Sequence, residues 1–540
     1  MINPQFFKPT KFLFLFLFYG ILVNTQKINI IPYPNNIEIQ NGTFILSDSL
    51  KIYYTKGCKK EADFLKHILL SEHQLHVRLA EHNTDVTTGN VYLIISHADF
   101  GTLGQEGYKL KVDQNNVIIT APTTTGIFYG IQSLRQLIQN HGNKKSTVQW
   151  LTITDRPRFP WRAFMLDEAR HFKGTKVVKD LLDQMALLKM NIFHWHLTDD
   201  QGWRIEIKKY PKLTEIGSKR TKTEIGTWLS NKFDSTPHAG YYSQNQVKDI
   251  IKYAADRHIT IIPSIEMPGH ASAAIASYPW LGSADTLREV PGVFGMQFNL
   301  YNIANPRVHQ FIHDVLDELM VLFPAPIIHI GGDEVLHDQW EKSAEVNAYM
   351  KQNDISSYAD LQISFTNAVS HYLEHKNHRM MGWNEIMDDQ HHNTSSLDAR
   401  DQQTLASNAI IHFWRGDLQI MNRAAEKGYD IVNAHDEFTY LDYDYYTINM
   451  QRAYSFDPVP ESMPTHLRSK VLGLSCHMWG EWIPTVKSMN YQIFPRIATY
   501  AETGWTEQAN KEYNRFKKAL SVYLKIHWRR KGITILPEQE

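Results

Sequence analysis

The strongest constraint in this chain is an alternation that begins after residue 160. Eight short apolar runs recur there, separated by stretches with helical spacing. They are Arg162–Leu166, Asn191–Leu197, Thr260–Ile265, Pro326–Ile330, Met380–Trp383, Ile410–Trp414, Asp430–Asn433 and Val471–Ser475. Short buried strands alternating with helices predict a parallel sheet with helices outside it. Eight such units predict an α/β fold closed as a (β/α)8 TIM barrel. In one intervening helix Val178, Leu181, Leu182, Met185 and Leu188 share a face behind a Thr175 cap. Phe311, Ile312, Val315, Leu316 and Leu319 repeat that pattern further on.

A different pattern precedes the barrel. Phe44–Ile45, Lys51–Tyr54, Val91–Ile95, Tyr108–Val112 and Val117–Thr120 read as strands, and Glu61–Leu70 and Gly126–Gln139 as helices. They predict a small α+β domain, a sheet with helices on one face. The turn residues Asp113 to Asn116 predict a hairpin inside it. Asp155 to Pro160, with two prolines, marks a boundary. The chain therefore divides into residues 1–25, an export signal; 26–155, the α+β domain; 156–510, the barrel; and 511–540, a helical segment expected to pack on the barrel.

The signal rests on Lys8 and Lys11 ahead of the unbroken apolar run Phe12 to Val23. That run is shorter than the roughly 20 residues of a membrane anchor, and no later segment is apolar enough to span. Only Cys58 and Cys476 occur, few for an exported eukaryotic enzyme of this length. The expectation is an exported bacterial protein, periplasmic or extracellular. A formal net charge of −1 leaves no basic field for nucleic acid or an anionic membrane.

Reacting groups of such barrels gather at the C-terminal ends of the strands. Here those ends carry Asp167 and Arg170; His196, Asp199 and Asp200; Glu266 and His270; then His329 and Gly331-Gly332-Asp333-Glu334. Trp383 and Glu385, Trp414, Tyr440 and Asp442, and Trp479 and Glu481 complete the ring. Carboxylates and tryptophans at every strand end point to a carbohydrate-processing site. Adjacent residues of a regular strand face opposite ways, so Asp333 and Glu334 share a pocket only if Gly331 and Gly332 bend the backbone. Two carboxyls in one low-dielectric site titrate apart, giving one acid and one carboxylate near neutrality. Glycoside cleavage needs that division of labour.

On these residues the chain resembles glycoside hydrolase family 20, the β-N-acetylhexosaminidases. Leu166 to Phe172, His194 to Arg204, Met267 to His270, His329 to Glu334, Gly382-Trp383, Tyr440-Leu441-Asp442 and Trp479-Gly480-Glu481 follow in family order. The likeness runs from about residue 28 to 510, α+β domain included. It implies an exo-acting hydrolase of terminal β-linked GlcNAc or GalNAc that works by substrate-assisted, retaining catalysis. Glu334 would then be general acid and later base, Asp333 would hold the substrate acetamide, and Tyr440 would aim the acetamide oxygen. Asp199 and His270 would support the acid. Trp383, Trp414 and Trp479 would wall the pocket, and Arg170, Asp442 and Glu481 would grip sugar hydroxyls. Ser264-Ile265-Glu266 departs from the family's Glu-Ile-Asp ahead of Met267, and Cys476-His477 is unusual ahead of Trp479.

Three other readings make different demands. A retaining glycosidase with a protein nucleophile would use Glu266 or Glu481. A sugar-binding protein without activity would not need the acid pair. A metalloenzyme would start from His194 and His196, two apart on one strand face, but no third ligand follows at metal spacing. No metal and no cofactor are expected, and the partner is an oligosaccharide or glycoconjugate ending in N-acetylhexosamine. His196 is read as barrel packing, and Glu385 is left without a role.

Overall fold

A computed structural model describes residues 28–537, apart from 83–85, 142–144, 229, 285–286, 288 and 388–403. The export signal expected over residues 1–25 lies outside the described residues. Eight parallel strands close into a barrel: Trp161–Asp167, Ile192–His196, Thr260–Ser264, Ile327–His329, Arg379–Trp383, Ile410–Phe413, Asp430–Asn433 and Val471–Met478. Closure comes where the eighth pairs with the first, Met478 against Leu166. All eight expected strands are present, each within a few residues of its predicted ends.

The interior is stacked in layers. Between strands His196 pairs with Asp167 and Ser264, and Ser264 with His329, so the register steps along the axis from strand to strand. Every second residue of a strand faces inward. The bottom layer is apolar and includes Ala163, Ile192, Ile262, Met381, Ile410 and Val432. Two residues along lie His194, His329, His412 and His477, in tilted and edge-on ring contact with one another. Two further on come the groups of the mouth, among them His196, Glu266, Trp414 and Trp479.

Helices cover the outside with apolar stripes. Val178, Leu181, Leu182 and Met185 are buried on the helix Thr175–Leu187. Its cap differs from the expectation: Gly174 is the N-cap, at φ +87, and Thr175 is the first helical residue. The chain enters that helix through a left-handed turn that favours glycine. The helix Pro306–Leu322 buries Phe311, Ile312, Val315, Leu316 and Leu319 behind an Asn305 cap.

The preceding domain is a mixed sheet backed by the helices Lys59–His73 and Thr124–Leu137. Tyr108–Val112 and Asn116–Ala121 form the expected hairpin. The sequence reading missed the long strand Ser146–Asp155, which joins Asn36–Leu46 to the hairpin. Its inward residues alternate with Thr and Gln, so no compact apolar run announces it. Lys189 ties this domain to the barrel, its buried ammonium 3.2 Å from Asp155 and 2.9 Å from the Tyr108 hydroxyl. At the C-terminus, Trp528 packs on Phe494 and donates to Gln184 of the first barrel helix. Cys58 and Cys476 are both buried free thiols. Among the described residues no helix is long and apolar enough to cross a membrane.

Candidate active site

The centre of the site is a turn that ordinary strand geometry would forbid. Gly331, Gly332 and Glu334 have φ of +70, +91 and +50. A side chain at Gly331 would collide with the Glu266 carboxyl packed on it. Freed from strand alternation, Asp333 and Glu334 reach the same histidine: His270 Nε2 lies 3.8 Å from Asp333 Oδ2 and 3.6 Å from Glu334 Oε2. Burial and the neighbouring Glu334 push the Asp333 carboxyl up, against the pull of His270. Asp333 lines the pocket, and its Oδ1 is buried without a hydrogen-bond partner.

The other side of His270 is doubly anchored. Its Nδ1 lies 3.2 Å from Asp199 Oδ1 and 3.0 Å from Asp200 Oδ2. Burial alone would depress this imidazole, yet Asp199 and Asp333 hold it charged, well above the usual histidine range. Burial likewise raises Asp199, but Arg170 and His270 outweigh it and keep that carboxylate well below its ordinary value. Asp200 is fixed in turn by the Ser272 N–H at 3.1 Å and by the Ser272 hydroxyl. The sequence placed Asp200 at this strand end but gave it no role. Its closer approach to His270 makes it a partner of the dyad expected from Asp199 and His270 alone.

Arg170 organises the opposite wall. Its guanidinium sits 2.8 Å from Asp199, 3.2 Å from Asp167 and 3.8 Å from Glu481, and lies over Trp479. Asp167 holds the first and eighth loops together by accepting the N–H groups of Ala169 and Gly480, each at 2.9 Å. Asp442 is pushed up to about 8 by burial and by Glu481, and its Oδ1 is buried without a partner. Tyr440 stacks on Trp414 at 6.2 Å and meets Trp479 at 6.1 Å. Trp383 contacts both Trp414 and Trp479. Unused acceptors between flat aromatic walls suit a polyhydroxylated ring.

All eleven expected site residues line one pocket of about 230 Å³: the acid pair with Asp199 and His270, the three tryptophans with Tyr440, and Arg170, Asp442 and Glu481. Arg415, Tyr443, Trp228, Trp482 and Gly295 complete its lining, and sequence reasoning had named none of them. These residues lie on loops without strand periodicity, so no spacing points to them. Glu385 binds the Trp414 indole N–H at 2.9 and 3.0 Å, which braces that wall. Burial and Asp333 push its carboxyl up to about 8. His196 is buried, as its packing assignment requires, and also bonds Asp199 at 2.9 Å. Glu266 lies behind Gly331, outside the pocket lining, and accepts from the Ser264 hydroxyl at 3.0 Å. Larger cavities of about 440 and 560 Å³ lie toward the C-terminal helix and hold no such carboxyl pair facing tryptophans.

A TIM barrel with an acid pair, an arginine and a tryptophan box at its C-terminal mouth defines a glycoside hydrolase. The comparisons narrow that class. The model described as glycosyl hydrolase family 20, catalytic domain, matches residues 159–508, and the family's domain 2 matches 27–156. The chain belongs to glycoside hydrolase family 20. A beta-hexosaminidase of Porphyromonas gingivalis is 34% identical, aligned over 95% of this chain and 65% of its own length. This chain thus spans just under two thirds of that relative. A beta-hexosaminidase of Vibrio furnissii is 33% identical over 88% of this chain and 76% of its own. The solved exo beta-N-acetylglucosaminidase of Vibrio harveyi, in complex with N-acetylglucosamine, superposes with a TM-score of 0.79. It is 31% identical and covers 94% of this chain and 78% of that one. The beta-N-acetylhexosaminidase of Bacteroides fragilis covers 94% and 97%, at 28% identity and a TM-score of 0.78.

Proposed function

We propose that this chain hydrolyses terminal β-linked N-acetylhexosamine from the non-reducing end of glycans, with the substrate's own acetamide as nucleophile. The observation that carries the reading is the pairing of Asp333 and Glu334 on one histidine, inside a pocket walled by three tryptophans. Glu334, the more exposed of the two, donates its proton to the glycosidic oxygen as the bond to the anomeric carbon breaks. The acetamide oxygen attacks that carbon and closes an oxazolinium ring. Asp333 accepts the acetamide N–H through its unused oxygen and stabilises the charge that develops there. Tyr440 donates to the acetamide oxygen and aims it. Glu334, now ionised, takes a proton from water as the water opens the ring, which retains the configuration and restores the acid. Trp383, Trp414 and Trp479 keep bulk water from the cyclic intermediate.

A protein nucleophile has less support. Glu266 is buried outside the pocket, and Glu481 is engaged with Arg170. Exo action is favoured by the small pocket and by the grip of Arg170, Asp442 and Glu481 on the terminal sugar's hydroxyls. Export is favoured by the basic residues and apolar run at positions 8–23. The test is a panel of aryl β-GlcNAc, β-GalNAc and β-glucoside with the purified protein. Cleavage of the acetamido sugars, with strong inhibition by a thiazoline mimic of the cyclic intermediate, is the expected result. Comparable turnover of the plain glucoside would overturn the substrate-assisted step.

A further inference from the structure

The middle layer of the barrel holds four imidazoles that the chemistry above does not use. His194, His329, His412 and His477 are each no more than 2% exposed. His329 joins two parts of the site. Its Nδ1 accepts the Gly331 N–H at 3.1 Å. A neutral ring that accepts at Nδ1 carries its hydrogen on Nε2. That Nε2 lies 3.3 Å from His412 Nδ1, so His329 donates to His412. His194, His329 and His412 bring ring nitrogens within 4.8 Å of one another. With Nδ1 occupied and Nε2 protonated, however, His329 offers no lone pair to a metal.

A second set of contacts returns to the same turn. The His412 ring stacks on Trp383 at 4.5 Å and 19°, and His329 meets that indole edge-on at 4.7 Å. The Trp383 backbone N–H donates to the Gly331 carbonyl at 2.9 Å. Gly331, His329, His412 and Trp383 thus form a closed circuit beneath the pocket. One side of it carries the turn that presents Asp333 and Glu334, and the other carries a wall. A backbone with three positive φ angles in four residues keeps its shape only where its surroundings over-determine it.

We propose that His329 and His412 are positioning residues: their hydrogen bond holds the Gly331 turn in register with Trp383, and so sets the acid pair against the wall of the acetamide pocket. This rests on the function proposed above. An apolar residue of similar volume at either position would fill the space but leave the shared hydrogen bond unmade. A displacement of the acid by about 1 Å is enough to lower turnover on the order of 100-fold.

The test compares His412→Leu, His412→Asn and His412→Gln in the full chain, with aryl β-GlcNAc as substrate. Asparagine puts an acceptor where Nδ1 stood; glutamine reaches toward Nε2 instead. His412→Leu should lower kcat roughly 10- to 100-fold with KM little changed, and weaken the thiazoline in parallel. His412→Asn should recover most of that loss and His412→Gln little of it. In histidine-labelled protein the slowly exchanging His329 Nε2–H resonance should persist in wild type and His412→Asn, and vanish in His412→Leu. Equal kcat in the leucine and asparagine variants would overturn the proposal, as would absence of that resonance in wild type. Should the leucine variant not fold, equal kcat in the asparagine and glutamine variants has the same force. A wild type inactive on every glycoside sinks the proposed function, while the resonance still reports whether the pair exists.

Discussion

His194 and His196 stand two residues apart on one strand, both within 2% of full burial, and their affinities for a proton are shifted in opposite directions. Burial pushes His194 well below the usual histidine range, and His329, His412 and His477 repel any proton it might take. Burial opposes charge on His196 as well, but its hydrogen bond to Asp199 reverses the outcome and raises it. One layer of the barrel therefore disfavours charge, and the next one up holds the Arg170–Asp199 ion pair and a charged His270. The desolvation penalty is common to both; of the two histidines, His196 has a carboxylate within hydrogen-bond reach and His194 has no hydrogen-bond partner among the described residues. Depth does not separate these two histidines, because both are equally buried. The supply of partners separates them.

The comparison breaks most severely where the mouth loses its proton donor. Glu334→Gln should lower kcat on an aryl β-GlcNAc by about 10²- to 10⁴-fold, while GlcNAc binding, measured by calorimetry, stays largely intact. Activity within tenfold of wild type would remove Glu334 from the role of acid. A milder change moves a mouth histidine toward the state of the layer below. Asp200→Asn deletes one anionic partner of His270, and its folded pKa should fall. The expected loss in kcat/KM is about tenfold, with the alkaline limb of its pH profile shifted to lower pH. An unmoved limb would mean that Asp199 and Asp333 set the charge on His270 without Asp200.

Much of this contrast was legible in the sequence, and the rest was not for identifiable reasons. The eight strands announce themselves because a strand buried on both faces is a compact apolar run. The glycines before Asp333 announce a bent backbone, and the structure gives both of them positive φ. The imidazole layer has no such signature. His194, His329, His412 and His477 come from four strands, and only closure of the barrel brings them together. No spacing in one strand encodes that meeting, so His194 was weighed with His196 and not with its true neighbours. Asp200 was hidden differently: regular alternation would turn it away from Asp199. The tight hairpin Thr198–Asp199 against Gly202–Trp203 bends the chain so that both carboxylates reach His270.

The neutral layer predicts how the fold responds to acid. A histidine whose folded pKa lies below its unfolded value binds fewer protons in the native state. Its contribution is intact above about pH 6.5 and is lost as pH falls toward the folded pKa. For His477, depressed to about 3 by burial, the window runs from about 6.5 down to about 3. For His194 the direction is the same. Both His194 ring nitrogens lack hydrogen-bond partners, so an apolar replacement breaks no bond. His194→Met should therefore flatten the acid limb of stability by up to about 1.4 kcal/mol per pH unit below pH 6. Urea unfolding between pH 5 and 7 measures it, and an unchanged slope would mean that His194 accepts a proton in the native state.

The smallest effect is expected at Glu266, and its size separates two mechanisms. Burial and Asp333 push this carboxyl up to about 8, so near pH 6.5 it is mostly protonated. An amide of the same shape then replaces a neutral acid. Glu266→Gln should leave kcat on aryl β-GlcNAc nearly unchanged at that pH. For an acid whose folded pKa is raised, the native state holds a proton that the unfolded chain gives up above about pH 4.5. Wild-type stability therefore declines as pH rises toward 8, and the glutamine variant should lack that decline. A nucleophilic Glu266 would make the opposite demand. It would have to be ionised in the working enzyme, reach the anomeric carbon from behind Gly331, and leave Glu266→Gln without activity. Near-normal turnover by that variant would leave the acetamide of the substrate as the nucleophile best placed to attack, because Glu481 is already engaged by Arg170.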